Sequence, residues 1–239
     1  MKEVRQYDSD KLWSYYQNQA RESFDSSYSR LQFISKRCRQ GASVLNIGAG
    51  SGYLESLLMQ RGVIAYSLDP SELTVKRLNE EQGMAGRARQ GYCHAIPFSD
   101  GFFDIVIMTE VLEHIQEDLL DASLREVGRV LKGGGLFIGT VPYREALRDN
   151  EVFCPHCQAR FHRWGHLHSF DLNALKHLLH RNEMVVEKLY TRSFPDFSRP
   201  GVRLFLRAFF RYVLGRMGEA LVAPNIYFEA RTALKPERG

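Results

Sequence analysis

An α/β fold with a mainly parallel sheet and helices on both faces is the expectation for this 239-residue chain. Three observations carry it: strand-like apolar runs alternate with helical stretches, the first run passes straight into a glycine-rich loop, and the second run ends in an aspartate. Val44, Leu45 and Ile47 set the first strand, near 43–47, and Gly48-Ala49-Gly50-Ser51-Gly52 follows it. Glycines at alternate positions let the backbone turn sharply and leave no Cβ between the amides and a ligand, so such a loop at a strand's carboxyl end can cradle a cofactor. A helix is expected near 52–61, then a second strand near 64–69 that closes on Asp69 and Pro70. A carboxylate in that place can accept hydrogen bonds from both ribose hydroxyls of an adenosine group. A helix near 71–82 leads to a third strand near 88–92, and the apolar run Phe103 to Met108 sets a fourth near 103–109. A helix near 117–131, a turn at Gly133-Gly134-Gly135 and a strand near 135–141 come next. Asp171 is suited to cap a helix near 172–181, ahead of strands near 184–190 and 225–233.

The loop separates two kinds of adenosine ligand. A dinucleotide fingerprint needs glycine at its first, third and sixth positions, but the sixth residue counted from Gly48 is Tyr53. Glycine at the first, third and fifth positions resembles the S-adenosylmethionine loop of class I methyltransferases. Further segments resemble that superfamily in order along the chain: Phe98-Ser99-Asp100-Gly101-Phe102-Phe103-Asp104, Glu110-Val111-Leu112-Glu113-His114, Glu126 to Val141, and Asn225 to Arg231. The resemblance implies a Rossmann-like, seven-stranded sheet of order 3-2-1-4-5-7-6 with an antiparallel last strand. It implies S-adenosylmethionine as cofactor, bordered by Asn46, Gly48, Ala49, Gly50, Gly52, Asp69, Pro70, Tyr92, Cys93 and Glu110. It also implies a methyltransferase domain over 41–239, preceded at 1–40 by helices carrying Trp13, Tyr15, Tyr16, Phe24 and Tyr28. Those helices either cover the cofactor as a lid or pack on the sheet edge.

Two positions depart from the family pattern. Asn46 stands where many members carry an acid, so it can accept a hydrogen bond but offers no charge to the cofactor's ammonium group. Tyr92 stands where many carry an aspartate near the adenine amino group, and it can stack on the base or fill the core. Methyl transfer from a sulfonium is an in-line displacement that depends on alignment and exclusion of water, and a hydroxyl acceptor also needs a base. Glu110 and His114 are candidates for that base, with helix capping and packing as their other reading.

Between the fifth strand and the next helix, Cys154-Pro155-His156-Cys157 is followed by His162, His166 and His168. Thiolates and imidazoles are the donors of a tetrahedral zinc site, and Cys154, Cys157 and His162 have the spacing of half a zinc knuckle. The knuckle's fourth position is Leu167, flanked by His166 and His168. Zinc on Cys154, Cys157, His162, His166 or His168 therefore stands beside a second reading, in which His166 faces the methyl acceptor from a substrate-bordering insertion at 150–170. His166 as an ordinary surface histidine is a third.

A basic amphipathic helix is expected at 201–218, where Arg203, Arg207, Arg211 and Arg216 are interleaved with apolar residues and no acidic residue occurs. It accounts for the whole formal charge of +4 and suits either a membrane surface or packing between the last strands. No apolar run reaches the roughly 20 residues that span a bilayer, the first residues lack a signal peptide's apolar core, and four cysteines make no disulfide framework for a chain of this length. A cytoplasmic protein, peripheral at the membrane if the basic helix binds there, is the expectation. The leading function is methyl transfer to oxygen or nitrogen of a small-molecule or lipid-linked acceptor. One alternative is a metal-assisted RNA 2′-O-methyltransferase using Glu110, Glu113, His114 and His166, although no strong nucleic-acid signal is present. The other is a catalytically silent, partner-binding module that keeps the fold.

Overall fold

The computed structural model describes residues 9–19, 27–195, 206, 209–210, 212–214 and 224–232. Two helices, α1 (Ser9–Asn18) and α2 (Tyr28–Ser35), precede β1 (Ser43–Ile47). Strands and helices then alternate through α3 (Tyr53–Gln60), β2 (Ile64–Asp69), α4 (Glu72–Glu80), β3 (Ala88–Gln90), β4 (Phe103–Thr109), α5 (Glu117–Val130) and β5 (Leu131–Pro142). A short hairpin, β6 (Glu151–Phe153) and β7 (Arg160–His162), comes before α6 (Leu172–Arg181), β8 (Met184–Arg192) and β9 (Asn225–Thr232).

Seven strands form one sheet in the order β3-β2-β1-β4-β5-β9-β8. β9 runs antiparallel to β5 and β8, and the other pairs are parallel. This is the order that the resemblance implied, with β8 and β9 as the family's sixth and seventh strands because the hairpin intervenes. The central strands are apolar on successive residues because both faces are covered. Leu45, Val106 and Phe137 face α5 and α6 through Leu124, Val127 and Leu178. Their neighbours Val44, Ile105 and Ile138 face the opposite layer with Leu31, Leu54 and Leu78.

Local signals explain where elements start and bend. Ser71 caps α4 by accepting from Thr74 N, and Asp171 caps α6 by accepting from Ala174 N at 2.8 Å, as expected. The glycine turn at 133–135 lies inside the span of β5, whose pairing partner steps from Leu131 to Leu136 as β4 advances from Phe103 to Ile105. β6 and β7 were absent from the expected elements because three-residue strands are too short to display a period. No helix among the described residues is long and apolar enough to cross a membrane. In the expected basic segment Leu206, Phe209, Phe210 and Val213 are helical and exposed. Arg203, Arg207, Arg211 and Arg216 lie outside the described residues.

Candidate active site

The sheet order reverses between β1 and β4, and a crevice at the carboxyl ends of strands beside such a reversal is the natural ligand site of an open α/β sheet. A cavity of about 310 Å³ occupies that place. Asn46, Gly48, Ala49, Gly50, Asp69, Pro70, Tyr92, Cys93, Glu110 and His114 line it, together with Trp13 and Gln17 of α1 and Arg30 of α2.

The glycine loop is shaped by close approach. Gly48 has φ +82°, and a Cβ there would lie 2.7 Å from Val111 Cγ2. Gly52, at φ +80°, turns into α3 one step behind the cavity wall, where a Cβ would strike Gln82 and Leu78. Arg77 of α4 holds the loop from outside by donating to the carbonyls of Ser51 and Gly50 at 2.8 and 2.9 Å. Asp69, fully buried, accepts from Ala49 N at 3.0 Å, Ser71 N at 2.9 Å and Gln17 Nε2 at 3.1 Å. Burial pushes its carboxyl up to about 6, against the opposing pull of those N–H groups.

Asn46 donates its amide to Glu55 Oε1 at 2.7 Å, and Ser67 donates to the same oxygen. Its carbonyl Oδ1 remains buried without a hydrogen-bond partner among the described residues, although Asn46 lines the cavity. Burial raises the Glu55 carboxyl above its ordinary value. Tyr92 stands half-exposed at the rim, stacked on His94. Cys93 Sγ lies 3.3 Å from Ser123 Oγ, and burial raises its thiol.

This donor set suits an adenosine group. A buried carboxylate at the end of β2, a loop that a single Cβ would obstruct and an orphaned amide oxygen match ribose hydroxyls, a close cofactor backbone and an ammonium group. Residues 45–139 match a family described as a methyltransferase domain.

Over that stretch the chain is similar to methyltransferase domains.

The ubiquinone biosynthesis O-methyltransferase of Pseudomonas paraeruginosa is 33% identical over 118 residues, covering 47% of this chain and 50% of that protein. A probable S-adenosylmethionine-dependent methyltransferase of Mycolicibacterium smegmatis is 31% identical over 113 residues, 47% of this chain and 42% of its own. The chain thus spans about half the length of the curated relatives it matches. Among solved structures, the 1,6-didemethyltoxoflavin-N1-methyltransferase of Burkholderia thailandensis superposes with a TM-score of 0.64 at 15% identity, covering 94% of this chain and 87% of that one. A methyltransferase from Methanosarcina mazei gives 0.62 at 14% identity, covering 85% and 98%. At such identities these two structures bear on the fold alone.

The second half of the cavity is built from the turn after β4. Glu110, at φ +55°, accepts from Thr140 Oγ1 at 2.8 Å and Asn225 Nδ2 at 2.9 Å, and Arg30 Nη1 stands 3.7 Å from it. Its carboxylate is therefore committed to neighbours. His114, in a single 3-10 turn at Leu112–His114, packs edge-on against Trp13 with ring centroids 4.5 Å apart. Its Nδ1 is 3.1 Å from the carbonyl of Gly165, which can only accept, so Nδ1 carries the proton and Nε2 the lone pair. Burial, with His166 beside it, pushes this imidazole down to about 3.

His166 is not among the residues lining the cavity and lies behind His114, with ring centroids 4.7 Å apart. Its Nδ1 is bonded to Glu145, and His162 Nε2 stands 3.4 Å from the same carboxylate. Burial raises Glu145, but His166 and His162 outweigh it and hold the carboxyl below its ordinary value. Glu113 is fully buried, and burial, then the Glu110 carboxylate, push it well above the usual range. Donor atoms of Glu113, His114 and His166 lie within 4.8 Å of one another, as do those of Glu145, His162 and His166.

Among the described residues neither Cys154 nor Cys157 belongs to such a group. Cys154 N donates to Ala159 O at 2.9 Å, so both thiols sit at the tip of the β6-β7 hairpin, while His162 lies at its base. N–H groups of Cys157 and His156 hold the Cys154 thiol below its ordinary value. His168 faces away, with Nε2 2.7 Å from Ile115 O. Sequence reasoning missed Gln17, Arg30 and Glu145, because no local pattern shows which distant element a polar side chain will meet.

Proposed function

We propose that this protein transfers the methyl group of S-adenosylmethionine to an oxygen or nitrogen of a small or amphiphilic acceptor held beside His114. The observation that carries this reading is a single cavity with Asp69, Asn46 and the glycine loop on one wall and Glu110 and His114 on the other. When bound, S-adenosylmethionine supplies a methyl group on a positively charged sulfur. The chain's own residues then act by binding, alignment and exclusion of water.

Asp69 accepts the ribose hydroxyls, Asn46 Oδ1 accepts from the ammonium group, and Tyr92 and Cys93 border the adenine. Glu110, already held by Thr140 and Asn225, fixes the wall beside the acceptor. Trp13 and His114 close the chamber around the reacting atoms. Similarity to ubiquinone biosynthesis O-methyltransferases supports oxygen as the acceptor atom. Exposed Leu206, Phe209, Phe210 and Val213 support an acceptor with an apolar part.

Calorimetric titration with S-adenosylhomocysteine, the demethylated product, tests the cofactor site without knowledge of the acceptor. Micromolar binding that Asp69→Ala weakens about 100-fold, as expected for two hydrogen bonds to a charged acceptor, supports the reading. No binding by folded protein removes it in favour of the silent module.

A further inference from the structure

We infer that Cys154 and Cys157 are a redox-active dithiol, which low-molecular-weight disulfides oxidise to an intramolecular disulfide at the tip of the β6-β7 hairpin. The two residues share a tight turn. β6 and β7 pair from Glu151 with His162 to Phe153 with Arg160, and the loop beyond the last pair is closed by Cys154 N donating to Ala159 O at 2.9 Å. Inside that loop Gln158 N donates to Cys154 O at 2.8 Å, a single turn that folds the chain back on Cys154. Residues three apart in a tight turn have Cα atoms within about 7 Å, which overlaps the roughly 4.4–6.8 Å window of a disulfide. The spacing therefore fits a disulfide without opening the hairpin. His162, which stands at knuckle spacing from the thiols, is turned to Glu145 at the hairpin's base, with Nε2 3.4 Å from that carboxylate. The thiols are thus left to react with each other.

Local chemistry separates the roles of the two sulfurs. Pro155 lacks an N–H, so the next main-chain donors after Cys154 are His156 and Cys157. The N–H of Cys157, the Cys157 thiol and the N–H of His156 converge on the Cys154 sulfur and hold its thiol below its ordinary value. From Val152 to Phe170 the chain carries two arginines, four histidines and no acidic residue, so a thiolate meets no like charge along that segment. Cys154 is half-buried and Cys157 exposed, which leaves both open to a small solute. The other two cysteines are the reverse case: Cys38 is buried with its thiol pushed up to about 12, and burial raises Cys93 as well. Thiolate character and access together make a cysteine reactive, and buried thiols are inert. The Cys154 thiolate attacks one sulfur of a disulfide RS–SR, whose S–S bond breaks and releases RS⁻. That thiolate takes the Cys157 proton, and the Cys157 sulfur attacks Cys154 in the mixed disulfide and expels a second RS⁻. The second RS⁻ takes from solvent the proton that Cys154 had given up. Two protein thiols are oxidised by two electrons, and one RS–SR is reduced to two RSH. Neither cysteine is among the residues lining the cavity, so this chemistry stands independently of the proposed function.

The test uses the whole chain, reduced and chelator-treated, then equilibrated with oxidised glutathione at neutral pH, with intact mass, peptide mapping and thiol alkylation as readouts. The expected result is one disulfide per chain, mapped to Cys154 and Cys157, with Cys38 and Cys93 still open to alkylation after unfolding. Cys157→Ser should stop at a stable glutathione adduct on Cys154. Cys154→Ser should react about threefold or more slowly, having lost the thiol with the larger thiolate fraction. Thermal melting of the reduced variants checks that they fold, and the parent's mapped disulfide reads the proposal without any substitution. Failure of the pair to oxidise, an adduct on Cys157 with none on Cys154 in the parent, oxidation at Cys38 or Cys93 instead, or a metal ion that survives the chelator on the thiols and blocks oxidation overturns the proposal.

Discussion

Gln17 of α1 donates its side-chain amide to Asp69 Oδ2 across 3.1 Å, joining the N-terminal helix to the carboxylate at the end of β2. The Gln17 carbonyl accepts from Thr74 Oγ1 at 2.8 Å, so α1 is clamped to the start of α4 as well. The preceding residue of the same helix, Tyr16, donates to the Arg163 carbonyl at 3.2 Å, bridging the Asp69 side of the cavity and the histidine-bearing insertion.

On the proposed reading, the cofactor's ribose and Gln17 compete for the same carboxylate. Two main-chain N–H groups and Gln17 already use three of its roughly four lone-pair sites, and two ribose hydroxyls need two. Breaking the Gln17 bond costs about 1 kcal/mol, so Gln17→Ala is expected to tighten S-adenosylhomocysteine binding about fivefold by calorimetry. Weaker binding in the variant would mean that Gln17 contacts the cofactor itself.

Cofactor affinity should fall in mild acid. Burial pushes the Asp69 carboxyl up to about 6, and on the proposed reading ribose hydroxyls donate to its ionised form, so binding would favour loss of that proton. Affinity is expected to be flat above pH 7 and to decline by up to tenfold per pH unit below about 6. In the unliganded protein the sign is reversed, because a carboxyl raised by burial stabilises the fold below its ordinary value of 3.8 and loses that contribution as pH rises through about 6. Titrations at pH 7.5 and 5.0 check the first statement; equal affinities would contradict it.

Gly48→Ala should damage both the fold and the site. The added Cβ meets Val111 Cγ2 at 2.7 Å, and φ +82° disfavours a side chain. A destabilisation of about 1–3 kcal/mol is expected in denaturant melts. Adding Val111→Ala should recover part of it by removing the clash, leaving the backbone strain in place.

Asn46→Asp would restore the acid that many class I methyltransferases carry, but here it should destabilise. The new carboxylate would face Glu55 Oε1 across the present 2.7 Å contact, and two buried like charges cannot both ionise cheaply. One of the pair would hold its proton above the ordinary range, so the loss should be largest above neutral pH and shrink in mild acid. A loss of about 2 kcal/mol at pH 8 is expected, recovered by the double variant Asn46→Asp/Glu55→Gln. A single variant as stable as the parent at pH 8 would count against this account.

The sheet was legible because its strands are marked twice. Leu45 and Val44 announce burial on both faces, and glycine turns or capping residues such as Asp171 punctuate the helices. Asp69 was legible because a carboxylate at the end of the second strand has few structural reasons to be there. Glu110 was legible as a cavity residue but not in its partners, since Asn225 reaches it across 115 positions of chain. The cysteines drew attention through spacing alone, and spacing does not reveal that a hairpin carries both thiols to its tip while returning His162 to Glu145.

The sequence by itself therefore determined the fold class and the glycine loop after β1, because these are written in local periodicity and in turns that act over a few residues. Tertiary structure alone decided that Glu113, His114 and His166 would meet and that Gln17 would sit on Asp69. Such meetings depend on how separate elements pack, and a buried carboxylate's partners are fixed only when the distant chain that excludes water from it is in place.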